Sequence, residues 1–154
     1  MKDNVYQFDL FNFGKEQFKI NKPIRIRLIE LFSGIGAQSM ALRVLGFPFE
    51  HWKTCEWNYN SIKSYNAIHM KDFTDYSKDK TKEELIAYLQ GNISTDSNNP
   101  CDIKKKNEQW LRDIYNNCIA THNLMNIMKV KGGDLEVKDT DKFTYIMTYS
   151  FPCQ

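Results

Sequence analysis

The 154-residue sequence predicts an α/β protein built on a doubly wound, mostly parallel sheet. Three observations carry this expectation. A strand runs through a glycine turn into an amphipathic helix over 24–46, a second strand and helix follow over 49–70, and a β-branched, aromatic strand occupies 142–149. Strands that alternate with helices need right-handed crossovers, and those crossovers build parallel sheets.

The first strand, Ile24 to Phe32 (IRIRLIELF), alternates and then becomes continuously apolar, as a strand entering the middle of a parallel sheet does. Ser33-Gly34-Ile35-Gly36 turns the chain. Ala37, Met40, Ala41, Val44 and Leu45 then fall at helical spacing on one apolar face, and Gly46 closes the helix. Phe49 to Cys55 reads as a short strand. Asn58 to about Met70 reads as a helix with Ile62, Tyr65 and Ile68 inward. Thr81-x-x-Glu84 is a capping box ahead of Leu85, Ile86 and Leu89, and Gly91 ends that helix. The Asn, Ser, Asp and Pro of NISTDSNNP (92–100) mark a loop. From Lys104 to about Met128, the spacing of Trp110, Leu111, Ile114, Cys118, His122 and Met125 predicts one long amphipathic helix. In it Lys104-Lys105-Lys106 is a solvated end and His122 a packing residue. Lys142 to Tyr149 (KFTYIMTY) is a further buried strand, leading into Ser150-Phe151-Pro152-Cys153-Gln154.

A composition of 42% hydrophobic and 14% aromatic residues suits a globular domain. No run approaches the ~18 apolar residues that span a bilayer, and MKDNVYQFDLFNF lacks a signal-peptide core. The expectation is a cytoplasmic protein with no membrane partner. A net charge of +2, from 21 basic and 19 acidic residues, creates no global field for a polyanion. Cys55, Cys101, Cys118 and Cys153 form no C-x-x-C pair and have no histidine at ligand spacing, so neither a metal site nor a disulfide framework is expected. Cys55 and Cys118 read as small buried apolar side chains.

Two features suggest a ligand. Gly34-x-Gly36 lets a ligand approach the backbone at a helix N-terminus, or else is simply a tight strand-to-helix turn. A dinucleotide fingerprint would need glycine where Ser39 stands, which disfavours pyrophosphate. Glu56 ends the second strand about 20 residues later, where doubly wound folds place an acid for ribose hydroxyls, and Trp57 beside it offers a face for adenine. Each also has a plain structural reading, Glu56 as a carboxylate at a helix N-terminus and Trp57 as a partly buried aromatic. Taken with the glycines, they point to an adenosine ligand without a diphosphate.

ELFSGIGAQ (Glu30 to Gln38), CEW (Cys55 to Trp57), GDL (Gly133 to Leu135) and SFPCQ (Ser150 to Gln154) resemble, in order, the first four motifs of DNA (cytosine-5) methyltransferases. The resemblance implies an incomplete Rossmann-like fold, dependent on S-adenosyl-L-methionine, over 24–154. It also implies an N-terminal extension at 1–23, a helical insertion at about 71–130 and no target-recognition region. By resemblance, Phe32, Ser33, Gly34, Ile35 and Gly36 cradle the methionine part and one adenine face. Glu56 holds the ribose, Trp57 and Leu135 pack on adenine, Asp134 takes its amino group, and Pro152 lines the pocket. Asn92-Ile93 is the alternative to Asp134-Leu135. Cys153 is the implied nucleophile toward C6 of a cytosine flipped out of double-stranded DNA, with S-adenosylhomocysteine as product. The family's later Glu-Asn-Val and Arg-x-Arg motifs have no match here. The expectation is therefore an N-terminal fragment or split subunit, inactive alone and completed by a C-terminal polypeptide from a bacterium or phage. A non-catalytic adenosine-cofactor-binding or interaction module is the alternative, and another adenosine-ligand enzyme of similar fold a third.

Overall fold

The computed structural model describes residues 25–150. The extension at 1–23, Pro152 and Cys153 lie outside the described residues.

The described chain forms a three-stranded parallel sheet in the order β2-β1-β3, with β1 Ile26–Leu31, β2 Phe49–Cys55 and β3 Thr144–Tyr149. The central strand is the most buried of the three, with Ile26, Leu28, Ile29 and Glu30 all enclosed. β1 meets β3 in unbroken register, from Ile26 opposite Thr144 to Leu31 opposite Tyr149. Its register with β2 slips once, between Leu28 and Ile29. Beyond β2, the amide of Thr54 donates to the His122 carbonyl (3.3 Å) and the amide of Leu124 to the Thr54 carbonyl (2.8 Å), a short parallel bridge at Asn123. The chain thus works outward from β1 through β2 to Asn123 and then returns to β1's other side. That reversal is the switch point where α/β sheets open a crevice at their strands' C-terminal ends.

Helix α1 (Ala37–Val44) forms where the spacing places it. Its apolar face does not meet the core, since Met40, Val44 and Leu45 are exposed, and the helix touches the sheet through buried Ser39 instead. Periodicity identifies an apolar face but not what covers it. Helix α2 (Tyr59–Tyr65) is capped by Asn58, whose Oδ1 accepts from the amides of Asn60 and Ser61, and it buries Ile62 and Tyr65. It then loosens into a π turn over Asn66–Met70.

Helix α3 (Lys82–Leu89) begins at the expected Thr81/Glu84 capping box. The long helix expected over 104–128 breaks into pieces. Ile103–Lys105 is a 3₁₀ turn, and helix α4 spans only Glu108–Ala120, started by Asn107, whose side chain accepts from the Trp110 amide. His122 adopts φ 50° and is exposed, not packed, and Asn123 joins the sheet. The apolar period ran on because Met125 is buried too, but its burial comes from the bridge to β2. Leu85, Leu89, Ile103, Leu111, Ile114 and Cys118 pack with Ile62 of α2 into one core. The segment between β2 and β3 is therefore seated on the sheet domain and not appended to it.

Candidate functional site

The residues after β1 and β2 meet. Glu56, one residue beyond β2, accepts three backbone N–H bonds: from Gly34 at 3.0 Å through Oε2, and from Trp57 at 2.8 Å and Asn58 at 2.7 Å through Oε1. The carboxylate therefore ties the glycine turn to the start of α2. Asn123 pins the Glu56 backbone from below, its Oδ1 accepting from the Glu56 amide and its Nδ2 donating to the Glu56 carbonyl, both at 3.0 Å.

Above this clamp opens a hollow of about 700 Å³. Phe32, Gly34, Glu56 and Trp57 line it together with Ile127, Met128, Ser97 and Pro100. Phe32 takes φ 55°, a left-handed conformation that a bulky residue adopts only when its surroundings impose it. Ser150, just past β3, also lines the hollow, and its hydroxyl donates to the Phe32 carbonyl at 3.4 Å. Cys55 forms part of the floor. Its thiol donates to the Met125 carbonyl, and burial, helped by the Glu56 charge, pushes its pKa up to about 12, so it is no nucleophile.

The remaining sequence-predicted residues separate. Ser33 is buried, its amide donating to the Cys55 carbonyl at 3.1 Å. Gly36 is buried at φ 84° as the N-cap of α1, and the Ile35 side chain points largely to solvent. Asp134 and Leu135 are not brought to the hollow. The Asp134 carboxylate folds back onto the Lys131 amide at 2.8 Å, and the Leu135 carbonyl accepts from Trp52 Nε1 at 2.9 Å. Trp52 stacks on Arg27, near the start of β1, whereas the hollow lies past the strands' other ends. The alternative pair is absent from it as well, because Ile93 is buried in the core and Asn92 accepts from Lys129 Nζ at 2.7 Å. Asn126 and Ile127 stand in the hollow instead. An Asn-hydrophobic pair was visible there, but the helical period that ran through it hid the chain's return to the sheet.

No protein-family model matches the chain. It is 33% identical over 141 residues to the orphan methyltransferase M.SssI of Spiroplasma monobiae, covering 87% of the chain and 36% of that protein. It is 31% identical over 140 residues to the type II methyltransferase M2.ScrFI of Lactococcus lactis subsp. cremoris, covering 84% of the chain and 35% of that protein. A shorter stretch of 72 residues, 44% of the chain and 14% of the relative, is 43% identical to the orphan methyltransferase M.Rho11sI of Bacillus phage rho11s. The chain belongs to this methyltransferase family. It spans about a third of the length of the two relatives that match most of it. The partial Rossmann-like sheet is the fold expected of a methyltransferase of this kind, with the hollow at the reversal between β1 and β3. Among the described residues, no helix is long and apolar enough to cross a membrane.

Proposed function

We propose that this chain is the cofactor-binding and nucleophile-bearing part of a DNA cytosine-5 methyltransferase that uses S-adenosyl-L-methionine. The observation that carries the reading is the 3.0 Å bond between Gly34 and Glu56 at the mouth of one hollow, with the end of β3 arriving beside Phe32. A carboxylate offers about four acceptor sites, and Glu56 uses three on backbone amides, leaving capacity for a ribose hydroxyl. Phe32, Trp57 and Ile127 supply apolar surface suited to adenine, and the volume fits a ligand of that size. Asn126-Ile127 takes the part that resemblance assigned to Asp134-Leu135. Gly34 and Gly36 allow the methionine part to approach the backbone.

The bound cofactor supplies an electrophilic methyl group on a sulfonium. Cys153 forms a bond from its thiolate sulfur to C6 of the target cytosine, which raises electron density at C5. The activated C5 would accept the methyl group that the bound cofactor supplies, and loss of the C5 proton to a base would expel the thiolate. A thiolate suits both steps because it attacks well and leaves well. The cytosine leaves the double helix first, since its faces are closed inside the stack.

Exposed apolar surface favours a complementing polypeptide for activity. Met40, Val44 and Leu45 on α1 and Met147 on β3 are left facing solvent, and β3 ends the described sheet. The bacterial and phage sources of the relatives support a cytoplasmic reading.

Two measurements test this. Calorimetric titration with S-adenosylhomocysteine is expected to show binding, and no heat at millimolar ligand removes the cofactor reading. A 5-fluorocytosine duplex is expected to trap a covalent adduct when a polypeptide supplying the remainder of the relatives' length is added. An adduct that persists in Cys153→Ser refutes the nucleophile. Cofactor binding with no adduct under any condition leaves the non-catalytic binding module.

A further inference from the structure

The glycine turn is held from below as well as from the hollow. Its Ile35–Gly36 peptide is bonded at both edges: the Gly36 amide donates to the Ser33 carbonyl at 2.8 Å, and the Ile35 carbonyl lies 2.9 Å from His69 Nε2. A carbonyl only accepts, so Nε2 carries the proton. Nδ1 of the same ring is buried with no hydrogen-bond partner. A side chain present for packing alone would not bring an unpaired nitrogen with it, so the Nε2–H bond accounts for a histidine here.

The local backbone delivers this ring. The π turn closes with the Lys71 amide donating to the Asn66 carbonyl at 2.7 Å, five residues back, and Lys71 ends it at φ 53°. Buried Asn66 anchors it through the Asp72 carbonyl (2.7 Å) and Asn117 Oδ1 (2.9 Å). A π turn shifts the side chains that follow relative to an unbroken α-helix, and such turns concentrate at functional positions. Here it sets His69 against Tyr65, with ring centroids 4.7 Å apart, and beneath Gly36. A Cβ built on Gly36 would fall 2.3 Å from His69 Nε2, so glycine is required there by this ring as well as by φ.

We propose that His69 is a positioning residue for cofactor binding: its Nε2–H, delivered by the π turn, holds the Ile35 carbonyl and so keeps the glycine turn in the shape that lines the hollow. This rests on the cofactor reading above. Glu56 grips Gly34 from the hollow side and His69 grips Ile35 from beneath. Loss of either grip frees a turn whose glycines have little preference of their own.

The test compares His69→Gln, which keeps a donor near Nε2, with His69→Met, of similar bulk and without one. S-adenosylhomocysteine affinity of the 154-residue chain is measured by calorimetry, and amide hydrogen exchange is followed at Gly34–Gln38 and across β1. His69→Met is expected to bind about fivefold more weakly, the effect of one net hydrogen bond. Its turn amides should exchange faster while β1 is unchanged, and His69→Gln should stay within about twofold of the parent. Equal affinity in all three chains overturns the proposal, and so does an equal loss in both variants, which marks a packing role. If His69→Met does not fold, His69→Gln decides: more than tenfold weaker binding despite the retained donor refutes it. Absence of binding in the parent chain refutes the cofactor reading instead.

Discussion

Gly34 and Gly36 share one turn and differ in what stands beneath them, which makes their alanine variants a direct measure of the packing described above. Both have positive φ, 52° and 84°, so a side chain at either costs about 1–2 kcal/mol in backbone strain. At Gly34 the added Cβ meets nothing within 4 Å, and strain is the whole effect. At Gly36 it meets His69 Nε2 at 2.3 Å, His69 Cδ2 at 2.6 Å and Tyr65 Cε2 at 2.8 Å. Neither ring yields readily. Tyr65 is buried and its hydroxyl donates to the buried carboxylate of Glu30, while His69 holds Ile35. Forced overpacking adds about 1–3 kcal/mol. Gly36→Ala is therefore expected to lose about 2–5 kcal/mol against about 1–2 kcal/mol for Gly34→Ala. At roughly 2–4 °C per kcal/mol for a chain of this size, Gly36→Ala should melt on the order of 10 °C lower. Urea unfolding at constant m-value reads the difference. Adding His69→Ala should make the two alanine costs converge, because it clears most of the space. Equal losses from the two single variants would refute the packing of the turn on the π segment.

Other consequences follow from the same contacts. Asn123→Ala removes partners from the backbone of Glu56 and the amide of Met125, and should cost about 1–3 kcal/mol in urea unfolding and weaken S-adenosylhomocysteine binding. Asn58→Ala removes the N-cap of α2 and the donor to Ser97 Oγ, with about 1 kcal/mol expected from the cap by the same assay. Burial lowers the His51 pKa from 6.5 to about 4, helped by the charges of His69, Arg43 and His122, so the unfolded chain binds the extra proton first. The contribution of His51 is complete above pH 6.5 and lost as pH falls toward about 4, and His51→Gln should flatten stability across that window. Alkylation of the native chain at pH 8, mapped by mass spectrometry, should leave Cys55 and Cys118 unmodified, since both are buried and their thiol pKa values are raised by burial.

Local pattern was enough wherever one stretch of chain settles its own structure. The apolar run of β1, the glycines after it, the Thr81/Glu84 box and the aromatic β3 each carry their geometry in adjacent residues, and the structure has the corresponding elements. Glu56 and Trp57 were legible because the acid at the end of a second strand sits at a fixed offset from the glycine turn.

What sequence could not decide were the contacts between distant segments. Asn123 reads as helix until its bridge to Thr54 makes it sheet, and with that bridge Asn126 and Ile127, rather than Asp134 and Leu135, reach the hollow. The apolar stripe of α1 was real, but a stripe carries no information about its cover. His69 belonged to no pattern at all, because a π turn changes the period on which pattern reading depends, and the carbonyl it holds lies 34 residues away. Periodicity reports the free energy of burying a face, whereas a hydrogen bond across the fold depends on where two separately formed elements come to rest.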